Sequence, residues 1–159
     1  MPMVVGPGEG ESVELLGLGV RYMVEGEGFS LVEHPIAPRT LAAPMHVHRH
    51  EDEYSYVLEG EVGVQVGDEV RYARPGDLVL KPRGVWHAFW NRSDEPARLL
   101  ELISPRGFER YFADIAPLLP PHRPEPDFAA LAATQERYGL EMDMGSIETI
   151  SRREGLPQT

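Results

Sequence analysis

The chain contains no cysteine, so disulfide scaffolds, thiol nucleophiles and thiolate-ligated metal sites are all excluded. Lysine is almost as scarce. Lys81 is the only one, and the remaining positive charge is carried by arginine. Cationic residues are outnumbered by acidic ones to a net charge of −11, which argues against nucleic acid and anionic membrane surfaces as partners. No apolar run approaches the length of a membrane-spanning helix. Met1 to Gly10 has neither a basic segment nor an apolar core, so no signal peptide is expected there. Together with the missing cysteines, this leads to an expectation of a cytoplasmic protein. No internal repeat is visible, and 159 residues suit one domain over 1–159.

What the chain does have is turns. Sixteen glycines and fifteen prolines separate short stretches in which apolar residues alternate with polar ones. From Glu53 the period of two is clear: Tyr54, Tyr56 and Leu58 face one way, Glu53, Ser55 and Val57 the other. Gly67-Asp68 reads as a hairpin, and Arg74-Pro75-Gly76-Asp77 as a tight turn. Strands are expected over Ser12–Val24 (as one or two), Phe29–Ile36, the histidine segment after Pro44, Leu78–Lys81, His87–Asn91 and Arg98–Ile103. Pro44 suggests a late start for the histidine strand, because proline cannot donate to a ladder. Regularly spaced short strands indicate an all-β sandwich or barrel over about 12–104.

After Pro105 the period changes. Phe108, Tyr111, Phe112 and Ile115 lie at helical spacing, giving a stripe that should cap one end of the barrel or cross to a partner subunit. A proline-rich connector over 117–126 should not be helical. A second helix is expected from Phe128 to Tyr138, capped by Asp127 and stopped by Gly139, with Phe128, Leu131, Ala132 and Tyr138 on its packed face. The helical extension is thus placed at about 105–145, with a polar tail over 146–159 expected to fray.

Chemistry concentrates in two segments. His46 and His48 are two apart and share a strand face, and four further residues allow a reversal that returns Glu53 beside them. His87, in another strand, can supply a fourth donor. Three imidazoles and a carboxylate suit a divalent first-row ion: iron, manganese, nickel, cobalt, copper or zinc. Such a set is costly to bury without a cation or hydrogen-bonding partners. His34 and His122, each beside a proline, read as loop residues, and His50 as a residue of the site's rim.

The spacing His46-x-His48-x4-Glu53-x6-Gly60, followed by Gly76-x5-Pro82-x-Gly84-x2-His87-x3-Asn91, resembles the two sequence motifs of the cupin superfamily, in particular its small single-domain, quercetinase-like members. One departure is Thr40, where the first motif usually begins with a turn glycine. The resemblance implies an all-β double-stranded β-helix, a jelly-roll barrel with C-terminal helices here, and an ion in its lumen held by His46, His48, Glu53 and His87. It further implies a metal-dependent dioxygenase acting on a small molecule, with Glu53 also able to accept the substrate's proton. Alternatives are a metal-dependent isomerase or lyase on a sugar or keto acid, and a ligand-binding barrel without turnover. Lys81 and Arg83 are the residues that could offer a basic mouth to a phosphosugar, opposed by Glu51, Asp52 and Glu61.

Strand parity puts Ser55, Val57, Phe89 and Asn91 on the pocket wall, joined by part of Leu99–Ile103. For Val57 and Phe89 plain barrel filling is an equal alternative, and an asparagine in the place of Asn91 more often holds a turn or strand end than a substrate. Trp86 and Trp90 should face outward, towards the C-terminal helices or a second subunit. A homodimer is expected, with Tyr54, Tyr56 and Trp86 offering outward apolar area.

Overall fold

A computed structural model describes residues 3–158, so Met1, Pro2 and Thr159 of the expected domain lie outside the described residues. Strands β1 (Ser12–Leu15), β2 (Leu18–Glu25), β3 (Ser30–Ile36), β4 (Thr40–His48), β5 (Asp52–Glu59), β6 (Val62–Val66), β7 (Glu69–Ala73), β8 (Leu78–Lys81), β9 (His87–Asn91) and β10 (Ala97–Ser104) come first. Helices α1 (Glu109–Ile115) and α2 (Phe128–Arg137), strand β11 (Leu140–Met142) and helix α3 (Ser146–Glu154) follow. The strands form two antiparallel sheets, β1-β2-β3-β10-β5-β8 and β11-β4-β9-β6-β7, in the double-stranded β-helix arrangement.

Turn chemistry explains the connections. Gly67-Asp68 joins β6 to β7 with Val66 opposite Glu69, a two-residue hairpin. Asp77 closes the turn before β8 by accepting from the Arg74 N–H through Oδ2 at 2.8 Å. Gly60 has φ +72°, and a side chain there would meet the Pro96 carbonyl at 2.8 Å, so both the turn and the close backbone approach require glycine.

The alternation along β5 holds: Glu53, Ser55 and Val57 are buried, while Tyr54 and Tyr56 are exposed. Inward residues of both sheets, among them Val20, Val32, Val57 and Ile103 from the six-stranded sheet and Val62, Val64 and Phe89 from the five-stranded one, form the main core. Phe108, Tyr111, Phe112 and Ile115 join it, so the aromatic stripe of α1 caps the barrel.

Several expectations are corrected. Strand β4 starts at Thr40, well before Pro44, because its pairing with β9 shifts register between Ala43 and His46 and leaves the proline no ladder bond to break. The connector over 117–126 begins with a short 3-10 turn, Ala116–Leu118. The inner side of α2 is Leu131, Thr134, Gln135 and Tyr138, whereas Phe128 and Ala132 are exposed. The aligned stripe runs through two polar residues, which hydrophobicity alone passes over. Asp127 does cap this helix, accepting from the Ala130 N–H at 3.1 Å.

The tail expected to fray contains α3, packed on the outer face of the five-stranded sheet. Ile150 and Leu156 cover Ala88 and the fully buried Trp90, and the Met45 N–H donates to Ser146 Oγ at 2.9 Å. The buried side of α3 is mostly Ser146, Ser151 and Glu154, which is why it reads as solvated. Trp90 therefore points away from the lumen, but towards α3 and not to water. Trp86 is partly exposed. Strand β11, unforeseen, pairs with β4 opposite His46, Val47 and His48.

Candidate metal centre

The cluster is built by strand register. His46 and His48 lie two apart on β4, His87 sits opposite His46 on β9, and Glu53 enters from β5 in the facing sheet. Two contacts hold the segments together: the Gly84 N–H donates to the His48 carbonyl at 2.8 Å, and Arg83 grips Asp52 through its backbone and guanidinium at 2.8–3.1 Å. Those Arg83 contacts hold the Asp52 carboxyl down at about 2. One donor atom from each of His46, His48, Glu53 and His87 lies within 4.8 Å of every other, and all four residues are buried.

Whether these residues suit a cation can be judged from their hydrogen bonds. The Nδ1 atoms of His46 and His87 contact the carbonyls of Pro44 (2.8 Å) and Val85 (3.0 Å). A carbonyl only accepts, so Nδ1 carries the proton and Nε2 of each neutral ring is a lone pair. The His87 lone pair lies 3.2 Å from Glu53 Oε2. His48 Nε2 is 3.4 Å from Glu53 Oε1, and both ring nitrogens of His48 are buried without a hydrogen-bond partner.

A proton is poorly placed to bridge these donors. Burial above all, then the neighbouring imidazoles, lowers the proton affinity of His46 well below the ordinary range, and burial lowers that of His87. Burial pushes the Glu53 carboxyl up, but His48, Lys81 and His87 outweigh it and hold the group well below the usual carboxylate range. Imidazole lone pairs around an ionised carboxylate suit a divalent transition ion, with carbonyl-bound Nδ1 atoms orienting the rings.

Beside the cluster opens a cavity of about 310 Å³. Most of its wall is apolar, with Phe89, Phe108, Phe112, Leu131 and Met142 prominent, and His46 and Glu53 reach it from the donor cluster. Phe108 also lies edge-on to His48, centroids 4.2 Å apart.

Of the expected wall residues, Phe89 lines the cavity, but Ser55, Val57 and Asn91 do not. Val57 is core filling. Ser55 donates to Glu101 Oε2 at 2.7 Å. Asn91 lies at the strand end, where its amide donates to the carbonyls of Ile36, Ala37 and Glu95 and its oxygen accepts from Ser93, so it holds a turn. His50 is exposed and outside the donor cluster.

Three polar cavity residues were not anticipated in their roles. His34 is no loop residue: it lies in β3 and is 2% exposed, with Nδ1 2.9 Å from the Gly19 carbonyl and its ring beside Phe89 and Phe112. Its parity with Val32 and Ile36 was the available signal, masked by Pro35. Lys81 is fully buried, 3.1 Å from Glu53 Oε2 and 2.8 Å from Glu101 Oε1, far from a basic mouth. Glu101 alternates with Leu99 and Ile103 and so faces inward. Burial raises its carboxyl to about 7 against the pull of Lys81.

A jelly roll with three histidines and a glutamate converging in its lumen defines a class of small barrel that can hold one ion beside a ligand cavity. Residues 32–103 match the cupin domain model. Over that stretch the chain carries a cupin domain, and its fold is the double-stranded β-helix. It is 43% identical over 61 residues to the tetracenomycin polyketide synthase protein TcmJ of Streptomyces glaucescens, a match covering 38% of this chain and 40% of that protein. Among solved structures, TT1209 of Thermus thermophilus is 32% identical, with 57% of this chain and 85% of that one covered at a TM-score of 0.53. KdgF from Halomonas sp. shares the fold at 19% identity, with 67% and 96% covered and a TM-score of 0.62. Among the described residues no helix is long and apolar enough to cross a membrane.

Proposed function

We propose that this protein is a metal-dependent enzyme acting on a small, largely apolar molecule that carries an ionisable oxygen, and that its reaction is oxygen-dependent, of the quercetinase-like kind. The observation that carries this reading is a buried three-histidine, one-glutamate cluster bordering a cavity whose wall is mainly aromatic and aliphatic. His46, His48, Glu53 and His87 are the residues that would hold the ion. A bound divalent ion supplies Lewis acidity towards a substrate hydroxyl and, where redox-active, reactivity with dioxygen.

The rest falls to the chain. The aromatic wall excludes water and orients a flat apolar body. His34 offers a neutral imidazole to a polar substituent, since burial lowers its proton affinity to about 4. For the substrate proton two carboxylates reach the cavity. Glu53, held well below its usual range, is a poor base, whereas Glu101 at about 7 is matched to neutral pH. We assign the proton-accepting role to Glu101, with Glu53 as the alternative suggested by family resemblance. A Glu101→Gln variant that keeps its kcat would return the role to Glu53.

A phosphorylated sugar is disfavoured as substrate because Lys81 is committed to two carboxylates and Arg83 is paired with Asp52. The relative named for a polyketide synthase supports the apolar reading, polyketides being carbon frameworks with hydroxyl and keto groups. A reducing, cytoplasmic setting suits a chain without cysteine.

The test is oxygen uptake by protein loaded in turn with iron, manganese, nickel, cobalt and copper, against a panel of hydroxylated aromatic compounds. Uptake stoichiometric with substrate loss is expected. Turnover without oxygen uptake would sink the oxygenase reading in favour of an isomerase or lyase, and binding without turnover would leave a ligand-binding barrel.

A further inference from the structure

Lys81, the sole lysine of the chain, is sealed in the barrel beside the donor cluster. It stands opposite Glu53 in the β5–β8 register, and Glu101 stands opposite Ser55 in the β5–β10 register, so three adjacent strands present Glu53, Lys81 and Glu101 to one another. The ammonium lies 3.1 Å from Glu53 Oε2, 2.8 Å from Glu101 Oε1 and 5.0 Å from the centroid of the Phe89 ring. Glu53 Oε2 also lies 3.2 Å from His87 Nε2, whereas Oε1, 3.4 Å from His48 Nε2, is not in contact with the ammonium. A buried ammonium is expensive, and it is retained only where close carboxylates compensate it. Both oxygens of Glu53 approach an imidazole, but they are inequivalent: Oε2 is also engaged by a fixed cation and Oε1 is not.

We propose that Lys81 is a positioning residue of the metal centre, holding Oε2 of Glu53 so that this carboxylate offers the ion Oε1 alone and presents it less negative charge. The inference rests on the ligand assignment made above. A carboxylate that donates one oxygen occupies one coordination position in place of two, which keeps room on the ion for a substrate. The ammonium also repels an incoming cation, so the site binds its ion more weakly than the same four ligands would without Lys81.

The test is Co²⁺ binding, read by chelator competition and by the visible absorption of the bound ion. Lys81→Met alone would strand two buried carboxylates, so the variant of choice is Lys81→Met/Glu101→Gln, which removes one charge of each sign; circular dichroism verifies its fold. Compared with Glu101→Gln, from which it differs only at residue 81, it should bind Co²⁺ at least about tenfold more tightly, since a unit positive charge beside the ion is gone. The absorption per ion should fall as Glu53 becomes free to chelate with both oxygens. An affinity equal to or below that of Glu101→Gln, with an unchanged spectrum, overturns the inference, and a purely structural role for Lys81 would give that result. Wild type itself provides a second reading through carboxylate infrared bands on Co²⁺ binding in glutamate-labelled protein. A wide splitting of the two stretches is expected, and a narrow one, from two-oxygen binding, overturns the proposal. If wild type takes up no Co²⁺, the ligand assignment falls and this inference with it; uptake by wild type with no tightening of the double variant over Glu101→Gln refutes Lys81's role alone.

Discussion

His34 should make stability fall on acidification. Burial is the main cause of its low proton affinity: its imidazole is pushed from 6.5 to about 4, with Lys81 adding to the effect and the Gly19 carbonyl opposing it. The folded-state value lies below the unfolded one, so between them the unfolded chain binds more protons and stability rises with pH. The contribution is complete above about 6.5 and is lost as pH falls towards 4. Taking those two values, acidification from pH 8 to pH 5 removes about 2 kcal/mol through this residue, approaching about 3 kcal/mol below pH 4. Other groups titrate over the same range, among them His46 and His87, so the informative quantity is a difference. His34→Gln retains a donor for the Gly19 carbonyl and has no titration of its own. Urea unfolding of both metal-free proteins, followed by circular dichroism, should show the wild type losing about 2 kcal/mol relative to the variant between pH 8 and pH 5. A gap between the two proteins that stays constant within about 0.5 kcal/mol would refute the reasoning.

Gly63 lies opposite Trp90, and a Cβ there would sit 2.1 Å from the indole Nε1. Because Trp90 is fully buried beneath α3, Gly63→Ala should cost about 3 kcal/mol and shift the tryptophan emission. Ile150→Ala, at the centre of α3's contact with the sheet, should lower stability by about 2–4 kcal/mol in chemical denaturation, whereas a fraying tail would show no change. Zinc or cobalt at a hundred times its dissociation constant should stabilise wild type by about 2.7 kcal/mol in thermal unfolding, and His48→Ala should abolish the effect. Tyr54, Tyr56, Leu78 and Leu80 leave an exposed apolar strip on the outer face of β5 and β8, where we propose that two copies pair. Leu80→Glu should then sediment as a monomer where wild type sediments as a dimer, and a monomeric wild type would refute the pairing.

The legibility of the site was uneven for physical reasons. His46, His48, Glu53 and His87 could be read because strand parity places residues two apart on one face and two motifs mark the turns between them. Glu101 obeys the same parity and lies in the Leu99–Ile103 stretch expected on the wall, but nothing local singles it out there. Lys81 reads as a cation of the mouth, because nothing local reveals that two carboxylates will compensate it. His34 was hidden by its proline neighbour. Asn91 has the parity of a wall residue, but at the strand end its amide is consumed by turn carbonyls, the turn-holding role that the sequence favoured.

What the amino-acid order determined alone is whatever depends on near neighbours or on composition: the alternation of β5 and β9, the Gly67-Asp68 hairpin, the aromatic stripe of α1, the Asp127 cap and the absence of thiolate ligands. Tertiary structure decided what depends on strands distant in sequence becoming adjacent. The order β3-β10-β5-β8 sets Lys81 and Glu101 on either side of β5, and the folding back of α3 turns a polar tail into the cover of Trp90. The physical reason is that the stability of a buried charge or a polar helix face is a property of its partners, and those partners come from other parts of the chain.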